Sequence, residues 1–80
     1  RTSQQIERTV NAILVDEFEV DAGKLRPEAR LIEDLDMDSL DGVDLVVALE
    51  KAFAVRIAEE DARAIRTLGD IYARVRGQAG

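Results

Sequence analysis

Residues 34–50 read DLDMDSLDGVDLVVALE, and this stretch decides how the centre of the chain folds. Apolar residues recur through it at the spacing of one helical stripe, which ends at Phe53. Asp38 stands where a helix cap is expected. Acidic residues in the first turn stabilise a helix because they lie close to the positive end of its dipole. The stretch therefore predicts a helix over residues 39–53 that starts at Ser39. Its predicted inward stripe is Leu45, Val46, Leu49 and Phe53.

Three other segments carry a helical pattern. Residues 3–18 have one apolar stripe and begin at a capping-box spacing. Residues 59–65 open with three acidic residues in a row, which suits a short helix. Residues 67–76 begin at a second capping-box spacing and carry the last apolar stripe. The two predicted capping boxes pair Thr2 with Gln5 and Thr67 with Asp70.

The connection between the first two helices is long and irregular. Residues 19–37 keep no clean period, and Gly23 and Pro27 interrupt them. A connection of this length in a small domain tends to be functional or to contain short turns. The residues expected to pack beneath it are Leu25, Leu31, Ile32 and Leu35.

The whole chain of 80 residues is expected to form a single all-α domain over residues 1–80. No segment alternates with a period of two, so no strand is expected, and the last residues, RGQAG, are expected to fray. The predicted architecture is a small four-helix bundle with a long first loop and a short third helix. The predicted helices are roughly residues 3–18, 39–53, 59–65 and 67–76.

Two residue types are missing from the chain, and their absence excludes several kinds of chemistry. Without Cys there is no disulfide or cysteine nucleophile, and without His there is no usual general base near neutral pH. A self-sufficient Ser-His-Asp hydrolase cannot be built from these residues. No apolar run approaches the length of a membrane span, and no signal-peptide pattern opens the chain. We therefore expect a cytoplasmic protein without stable membrane insertion. The chain begins with Arg1 rather than Met, which is compatible with processing, tag cleavage or excision from a longer polypeptide.

The net charge of −6 is unevenly spread along the chain. Residues 28–61 contain eleven acidic and three basic residues, whereas residues 62–80 contain one acidic and four basic residues. The acidic centre would repel nucleic acid, so DNA or RNA binding is not expected. A basic protein would be attracted to it, at a rate that depends on the salt concentration.

Ser39 lies within a run of aspartates, and two explanations of that run need no modification of the serine. The first is a calcium loop, because Asp34, Asp36 and Asp38 have the spacing that opens an EF-hand. The loop would need Gly and Glu where Ser39 and Leu45 stand, so an EF-hand does not fit and no metal site is expected. The second explanation is a plain helix start, where serine and aspartate are both common.

The outward side of the same helix is both acidic and apolar, which a plain helix start does not require. Asp41 and Asp44 fall outside the inward stripe, together with Leu40, Val43 and Val47. In a docking surface, apolar side chains supply contact area and flanking charges orient the partner. The pattern favours a surface for a basic partner protein.

The triplet DSL, followed by an acidic and amphipathic helix, resembles the acyl carrier proteins. The resemblance includes LIEDLDMDSLDGVDLVVALEKAFAVRI, residues 31–57, and the spacing of the four predicted helices extends it over essentially the whole chain. It implies that Ser39 receives a phosphopantetheine group from coenzyme A, through a separate phosphopantetheinyl transferase (holo-acyl carrier protein synthase). The missing Cys and His then have an explanation, because the thiol would belong to the prosthetic group and the acid–base chemistry to partner enzymes.

The resemblance implies a non-catalytic, monomeric carrier of acyl groups held as thioesters, in fatty acid or related lipid or polyketide biosynthesis. Its partners would be the transferase and acyl-processing enzymes, such as ketosynthases and acyltransferases with basic docking patches. A polyketide or peptidyl carrier domain is an alternative, and so is an unmodified acidic helical interaction module from another class. The residues expected to meet partners are Asp38, Leu40, Asp41, Val43, Asp44, Val47, Glu50, Glu59 and Glu60, with Asp61 beside them.

Several positions depart from the usual pattern of the family. Asp36 stands where Gly is usual, which is expected to change the backbone of the loop. Gly42 stands where a residue such as Thr is usual, and Gly costs about 0.5 to 1 kcal/mol relative to Ala within a helix. This turn is therefore expected to be looser or closely approached by a partner. Lys51 interrupts the acidic face, and Ala58 replaces a frequent Pro. The departures are compatible with two kinds of carrier, namely the general fatty-acid carrier of the cell or a carrier dedicated to a special lipid or polyketide.

The inward stripes of the helices bear on the cargo, because they are mostly branched aliphatic residues. The resemblance implies that such a bundle can part to hold an acyl chain, and burial of each methylene gains about 0.8 kcal/mol. We expect a medium-length saturated chain on Ser39 to enter and to raise thermal stability, whereas an ordinary core would stay closed. The stripe residues concerned are Val10, Ile13, Leu14, Leu45, Val46, Leu49, Ile71, Tyr72 and Val75.

Overall fold

The computed structural model describes residues 2–79 and shows four helices in that range. One turn of 3-10 helix, Ala22–Lys24, lies in the long connection between the first two helices. The only β-type pairing among the described residues is an isolated bridge between Arg30 and Thr67. The predicted all-α fold, with a long first loop and a short third helix, is confirmed. The helices are α1 Ser3–Phe18, α2 Ser39–Phe53, α3 Glu59–Ala64 and α4 Leu68–Ala79.

Three helix ends differ from the predicted ones, the end of α3 and both ends of α4, and Arg1 and Gly80 of the predicted domain lie outside the described residues. α3 stops one residue early, because Ile65 takes an extended conformation with φ −75° and ψ 117°. The segment expected to fray is helical as far as Ala79. Gly77 within it weakens a helix by only about 0.5 to 1 kcal/mol, and no proline follows to end the helix.

Capping boxes start three of the four helices. The Gln5 amide donates a hydrogen bond to the Thr2 hydroxyl at 3.2 Å, and the Thr2 amide donates to the Gln5 side chain at 3.0 Å. Thr67 and Asp70 exchange hydrogen bonds in the same way, so Thr67 caps α4 and is not its first residue. A third box starts α2. Each box satisfies amide groups that have no partner within the helix itself.

The inward stripes of α1, α2 and α4 pack together to form the core. Phe53 and Tyr72 are its two aromatic residues, and the Tyr72 hydroxyl donates a hydrogen bond to the Asn11 side chain, which joins α4 to α1. Val46 was predicted to point inward but is only half-buried, because it faces a groove between α2 and α3. The buried helical residues are Ile6, Val10, Ile13, Leu14, Leu45, Leu49, Phe53, Leu68, Ile71, Tyr72 and Val75.

The long connection is anchored to the start of α4 by backbone hydrogen bonds. The Leu31 amide donates to the Arg66 carbonyl at 3.0 Å, and the Leu68 amide donates to the Ala29 carbonyl at 2.9 Å. Ile32 was expected to pack beneath the loop but is exposed, because the anchored backbone turns the Leu31 side chain inward and leaves the next one in solvent. The buried residues of the connection are Val20, Ala29, Leu31, Leu35 and Met37.

Candidate functional site

Ser39 is the first residue of α2, and it is exposed. The Asp41 amide donates a hydrogen bond to the Asp38 carboxylate at 2.8 Å, and the Asp38 amide donates to the Asp41 carboxylate at 3.1 Å. This capping box fixes the backbone on both sides of Ser39 without using its hydroxyl. In the described part of the chain no side chain hydrogen-bonds to that hydroxyl. It is therefore open to an external reagent but is not activated by a base of its own chain.

The capping box changes the interpretation of Asp41. The sequence placed Asp41 on an exposed docking face, but it is half-buried and its carboxylate is bound to the helix start. Asp44 is exposed and forms no ion pair within residues 2–79. Asp44 can therefore present its charge to a partner, whereas Asp41 already stabilises α2.

Four large apolar side chains of α2 and the long connection are exposed to solvent, and we call them the apolar face. On α2, Leu40 is 74%, Val43 63% and Val47 43% exposed, and Ile32 of the long connection is 62% exposed. Large apolar side chains exposed together on a small protein mark a binding surface. Sequence reasoning missed Ile32, because an apolar loop residue does not reveal which side it faces until the loop is anchored.

Three of the other acidic residues expected at the docking face make bonds inside the protein, and one of them is Asp61, whose carboxylate lies 3.2 Å from the Arg74 guanidinium of α4. Glu50 is half-buried, and its carboxylate accepts a hydrogen bond from the Ile57 amide at 2.9 Å, across the turn between α2 and α3. Glu59 pairs with Arg63 within α3. Glu60 is exposed and has no ion pair among the described residues. Glu50, Glu59 and Asp61 thus have structural partners, and Glu60 is the one open to another protein.

Ser39 lines two adjoining grooves. The first, the apolar groove, lies between α2 and α3, has a volume of about 640 Å³ and reaches the buried core residues Leu49 and Ile71. The second, the basic groove, has a volume of about 560 Å³ and lies between the start of α2, the anchored loop and the segment that joins α3 to α4. Arginines contribute to its lining. The residues common to both grooves are Leu31, Ile32, Ser39, Gly42, Arg63 and Ile65.

Gly42 lines both grooves in the first turn of α2. A Cβ atom added to it would meet no atom within 4 Å, so neighbouring atoms do not require glycine here. Its amide donates to the Asp38 carbonyl at 3.1 Å, as in a regular helical turn, so the expected loosening of this turn is not seen. The missing side chain instead leaves the junction of the two grooves open beside Ser39.

Asp36 takes the left-handed conformation, with φ 57°. Glycine adopts this conformation freely, and among residues with a Cβ atom Asp and Asn tolerate it best. Asp36 therefore keeps the loop in a backbone shape that suits glycine. Its carboxylate lies 3.9 Å from the Lys24 ammonium group, an exposed pair that contributes little to stability.

The aspartates of the loop bind protein groups rather than one another. The guanidinium and the backbone amide of Arg30 both donate to the Asp34 carboxylate, and these bonds lower the pKa of Asp34. Among the described residues no three acidic side chains are placed to hold a metal ion.

A membrane span would require a long and strongly apolar helix, and residues 2–79 contain none.

Comparison with known proteins agrees with this geometry. The profile of the family described as "Phosphopantetheine attachment site" matches residues 8–75. A protein named acyl carrier protein from Helicobacter hepaticus is 46% identical over 67 residues, which cover 84% of this chain and 88% of that protein. An exposed hydroxyl that opens onto two grooves suits a covalently attached phosphopantetheine group. The resemblance seen in the sequence is thus confirmed, and the chain belongs to the acyl carrier proteins, non-catalytic carriers of acyl groups on phosphopantetheine.

Proposed function

We propose that Ser39 is the residue that carries phosphopantetheine. The observation that supports this best is its exposed position at the junction of the apolar and basic grooves. The other serine, Ser3, is exposed in α1 and lines neither of these grooves. When bound, the group supplies a flexible arm whose thiol holds the acyl chain as a thioester.

Attachment requires a separate transferase, because the chain offers Ser39 no base. In the transfer the Ser39 hydroxyl oxygen forms a bond to the phosphorus that bears the pantetheine arm of coenzyme A. The phosphoanhydride bond at that phosphorus breaks, adenosine bisphosphate leaves, and the hydroxyl proton passes to a base of the transferase. The chain contributes the position and accessibility of the hydroxyl, and the transferase contributes the acid–base chemistry.

The apolar face and the exposed acids beside it form the surface that we assign to partner enzymes. The apolar face would supply contact area, while Asp44 and Glu60 would attract basic side chains. Ile32 extends the surface from α2 onto the long connection. The partners are the phosphopantetheinyl transferase and acyl-processing enzymes with basic docking patches, such as ketosynthases and acyltransferases. The acids expected at this surface that already bind groups within the protein are Asp38, Asp41, Glu50, Glu59 and Asp61.

The apolar groove is the place that we assign to the acyl chain. It extends from Ser39 to Leu49 and Ile71, which are fully buried and form its inner wall. An acyl chain that enters would bury its methylenes, at a gain of about 0.8 kcal/mol each. Val46 borders the same groove, which is why it is only half-buried. Its departure from the predicted inward stripe therefore reflects its position in the groove wall.

The pathway that we propose is fatty acid biosynthesis, which is typical of the family, in a monomeric and cytoplasmic carrier. Asp36 and Gly42 depart from the usual family pattern, so a carrier dedicated to a special lipid, a polyketide or a peptide is the alternative. Acyl species recovered from the protein in its source cells would distinguish these pathways.

Intact-mass measurement tests the attachment residue. Incubation with coenzyme A and a broad-specificity transferase should add the mass of one phosphopantetheine group. The Ser3→Ala variant should gain the same mass, and the Ser39→Ala variant should gain none. A wild-type protein that gains no mass would instead be an unmodified acidic interaction module. A gain that persists in Ser39→Ala would place the attachment at another residue.

A further inference from the structure

We propose that Arg63 and Arg66 form an anion subsite that holds the phosphodiester of the prosthetic arm in the basic groove. The inference rests on the proposed attachment at Ser39, since that bond places a phosphodiester directly on a residue of the groove lining. The ligand class is therefore a phosphodiester tethered to the protein itself.

The basic groove reverses the charge of its surroundings. Three arginines and two acidic residues line it, in a chain whose net charge is −6. The start of α2 next to it is acidic, so a phosphodiester on Ser39 would meet repulsion on one side and attraction on the other. The charged residues of the lining are Arg30, Arg63, Arg66, Glu33 and Asp38.

Two of the three arginines are available to a new anion. Arg30 is held by two carboxylates of its own loop. Arg66 forms no ion pair within residues 2–79. Arg63 pairs with Glu59, but this pair is exposed and exposed pairs contribute little to stability. Arg63 and Arg66 can therefore turn towards a phosphodiester without loss of a strong existing interaction.

The acids of the lining do not compete strongly for these arginines. The Glu33 carboxylate is bound to Arg30. The Asp38 carboxylate accepts the amide hydrogen bond that starts α2. Both acids therefore have partners of their own, and the two remaining guanidinium groups are the cationic donors of the groove.

The position of these donors across the groove from α2 completes the subsite. Arg63 belongs to α3 and Arg66 follows it, whereas Ser39 and Gly42 belong to α2. No Cβ atom at Gly42 fills the space at the groove junction. Guanidinium groups donate paired, charge-assisted hydrogen bonds to phosphate oxygens, which are roughly twice as strong as neutral hydrogen bonds. Held in this way, the first bonds of the arm would run along the groove junction instead of into solvent.

The test compares unmodified and fully loaded forms of the wild type, Arg63→Gln, Arg66→Gln and the double variant, with loading verified by mass. Arg56→Gln is the matched control, because Arg56 is exposed and lines neither groove. The change in Tm on loading is measured at low and high salt, together with the phosphorus NMR chemical shift of the loaded protein. Taking the difference between the two forms removes any effect of the Arg63–Glu59 pair on the unmodified protein.

At low salt we expect the change in Tm on loading to be less favourable in the double variant than in the wild type, by roughly 1 to 6 °C. The difference should shrink at high salt, because screening weakens the attraction. The phosphorus shift should move in the double variant and stay at the wild-type value in Arg56→Gln.

Two outcomes would overturn the subsite, and they differ in what they say about attachment. Equal changes in Tm and equal phosphorus shifts in all variants would remove the subsite while leaving Ser39 as the attachment residue. Failure of the wild type to gain mass, or attachment at a residue other than Ser39, would remove both proposals.

Discussion

The carboxylates of Asp38 and Asp41 each accept a hydrogen bond from the backbone amide of the other residue, at 2.8 and 3.1 Å respectively. The two bonds enclose Ser39 and hold its backbone from both sides. Because these two acids are engaged at the helix start, the exposed charge that a partner can use lies further along α2, at Asp44.

Reversal of charge at Asp41 should lower the stability of the protein. Asp41→Lys removes an acceptor of the capping box and places a positive charge at the positive end of the helix dipole. We expect a loss of about 1 kcal/mol in the free energy of unfolding, measured by urea denaturation. Asp41→Asn keeps an acceptor oxygen and should lose less. Wild-type stability in Asp41→Lys would show that the box contributes nothing.

Reversal of charge at Asp44 should affect docking alone. Asp44 is exposed and unpaired among the described residues, so Asp44→Lys should leave stability within about 0.5 kcal/mol of the wild type. The initial rate of modification by the transferase should fall at low salt and recover towards the wild-type rate as salt rises. Asp16→Lys makes the same change in net charge on α1, at another exposed position. An equal fall in both variants would mean that net charge, and not the α2 surface, sets the rate.

Replacement of Gly42 should stabilise α2. A Cβ atom at this position meets nothing within 4 Å, so Gly42→Ala should raise the free energy of unfolding by about 0.5 to 1 kcal/mol. Gly69→Ala is the contrasting variant, because its Cβ would lie 3.0 Å from the Pro27 carbonyl oxygen. Thermal unfolding should rank Gly42→Ala above the wild type and Gly69→Ala below it. A loss of stability in Gly42→Ala would contradict the open space seen at this turn.

Asp70 should make the start of α4 sensitive to acid. Its carboxylate accepts hydrogen bonds from the Arg66 and Thr67 amides, each at 3.0 Å, and these bonds lower its pKa below the ordinary value of 3.8. A carboxylate with a lowered pKa in the folded state stabilises the fold above its unfolded pKa, and this contribution is lost as the pH falls through the folded pKa. Asp70→Asn should therefore be less stable than the wild type at neutral pH.

The pH dependence of Tm checks this expectation for Asp70. The difference in Tm between the wild type and Asp70→Asn should close as the pH falls below 3.8. Glu60→Gln, at an exposed side chain without an ion pair among the described residues, is the control for the loss of one negative charge. If the difference in Tm between the wild type and Asp70→Asn stayed constant from neutral to acid pH, the stabilisation by Asp70 would not come from its charge.

Loading with a medium-length saturated acyl chain should stabilise the protein beyond the phosphopantetheine form. The gain comes from methylenes buried in the apolar groove, so an acetyl group should give a much smaller rise in Tm. Backbone amide shifts should change at Leu45, Val46 and Leu49, which line the groove. Equal Tm values with no shifts at these residues would mean that the chain stays outside the bundle.

The helices were accessible to sequence reasoning because their starts are local. Thr2 with Gln5, and Thr67 with Asp70, make their bonds within one turn, so spacing alone predicts them. Ser39 could likewise be singled out as the candidate modification site from the motif around it, and its role in attachment stays a prediction.

The rest of the site depends on contacts between distant segments. Ile32 faces solvent because backbone hydrogen bonds hold the loop against the start of α4. The spacing of the apolar residues around Ile32 does not reveal these long-range bonds. Arg63 and Arg66 line a groove with Ser39, although the sequence places them in the basic final part of the chain. Asp41 fits a capping box and a docking face equally well by its spacing, and only its hydrogen bond and half-burial separate the two roles.

The anchor of the long connection uses only backbone atoms, namely the amides of Leu31, Leu68 and Gly69 and the carbonyls that they meet. The exposed side chains of the loop, among them Glu28 and Ile32, take no part in it, so mutation can replace them without releasing the loop. This loop borders the basic groove beside Ser39 and supplies Ile32 to the surface that we propose for partner docking. Substitutions at these exposed loop positions would therefore change the loop's share of that surface while the backbone bonds that hold the loop stay in place.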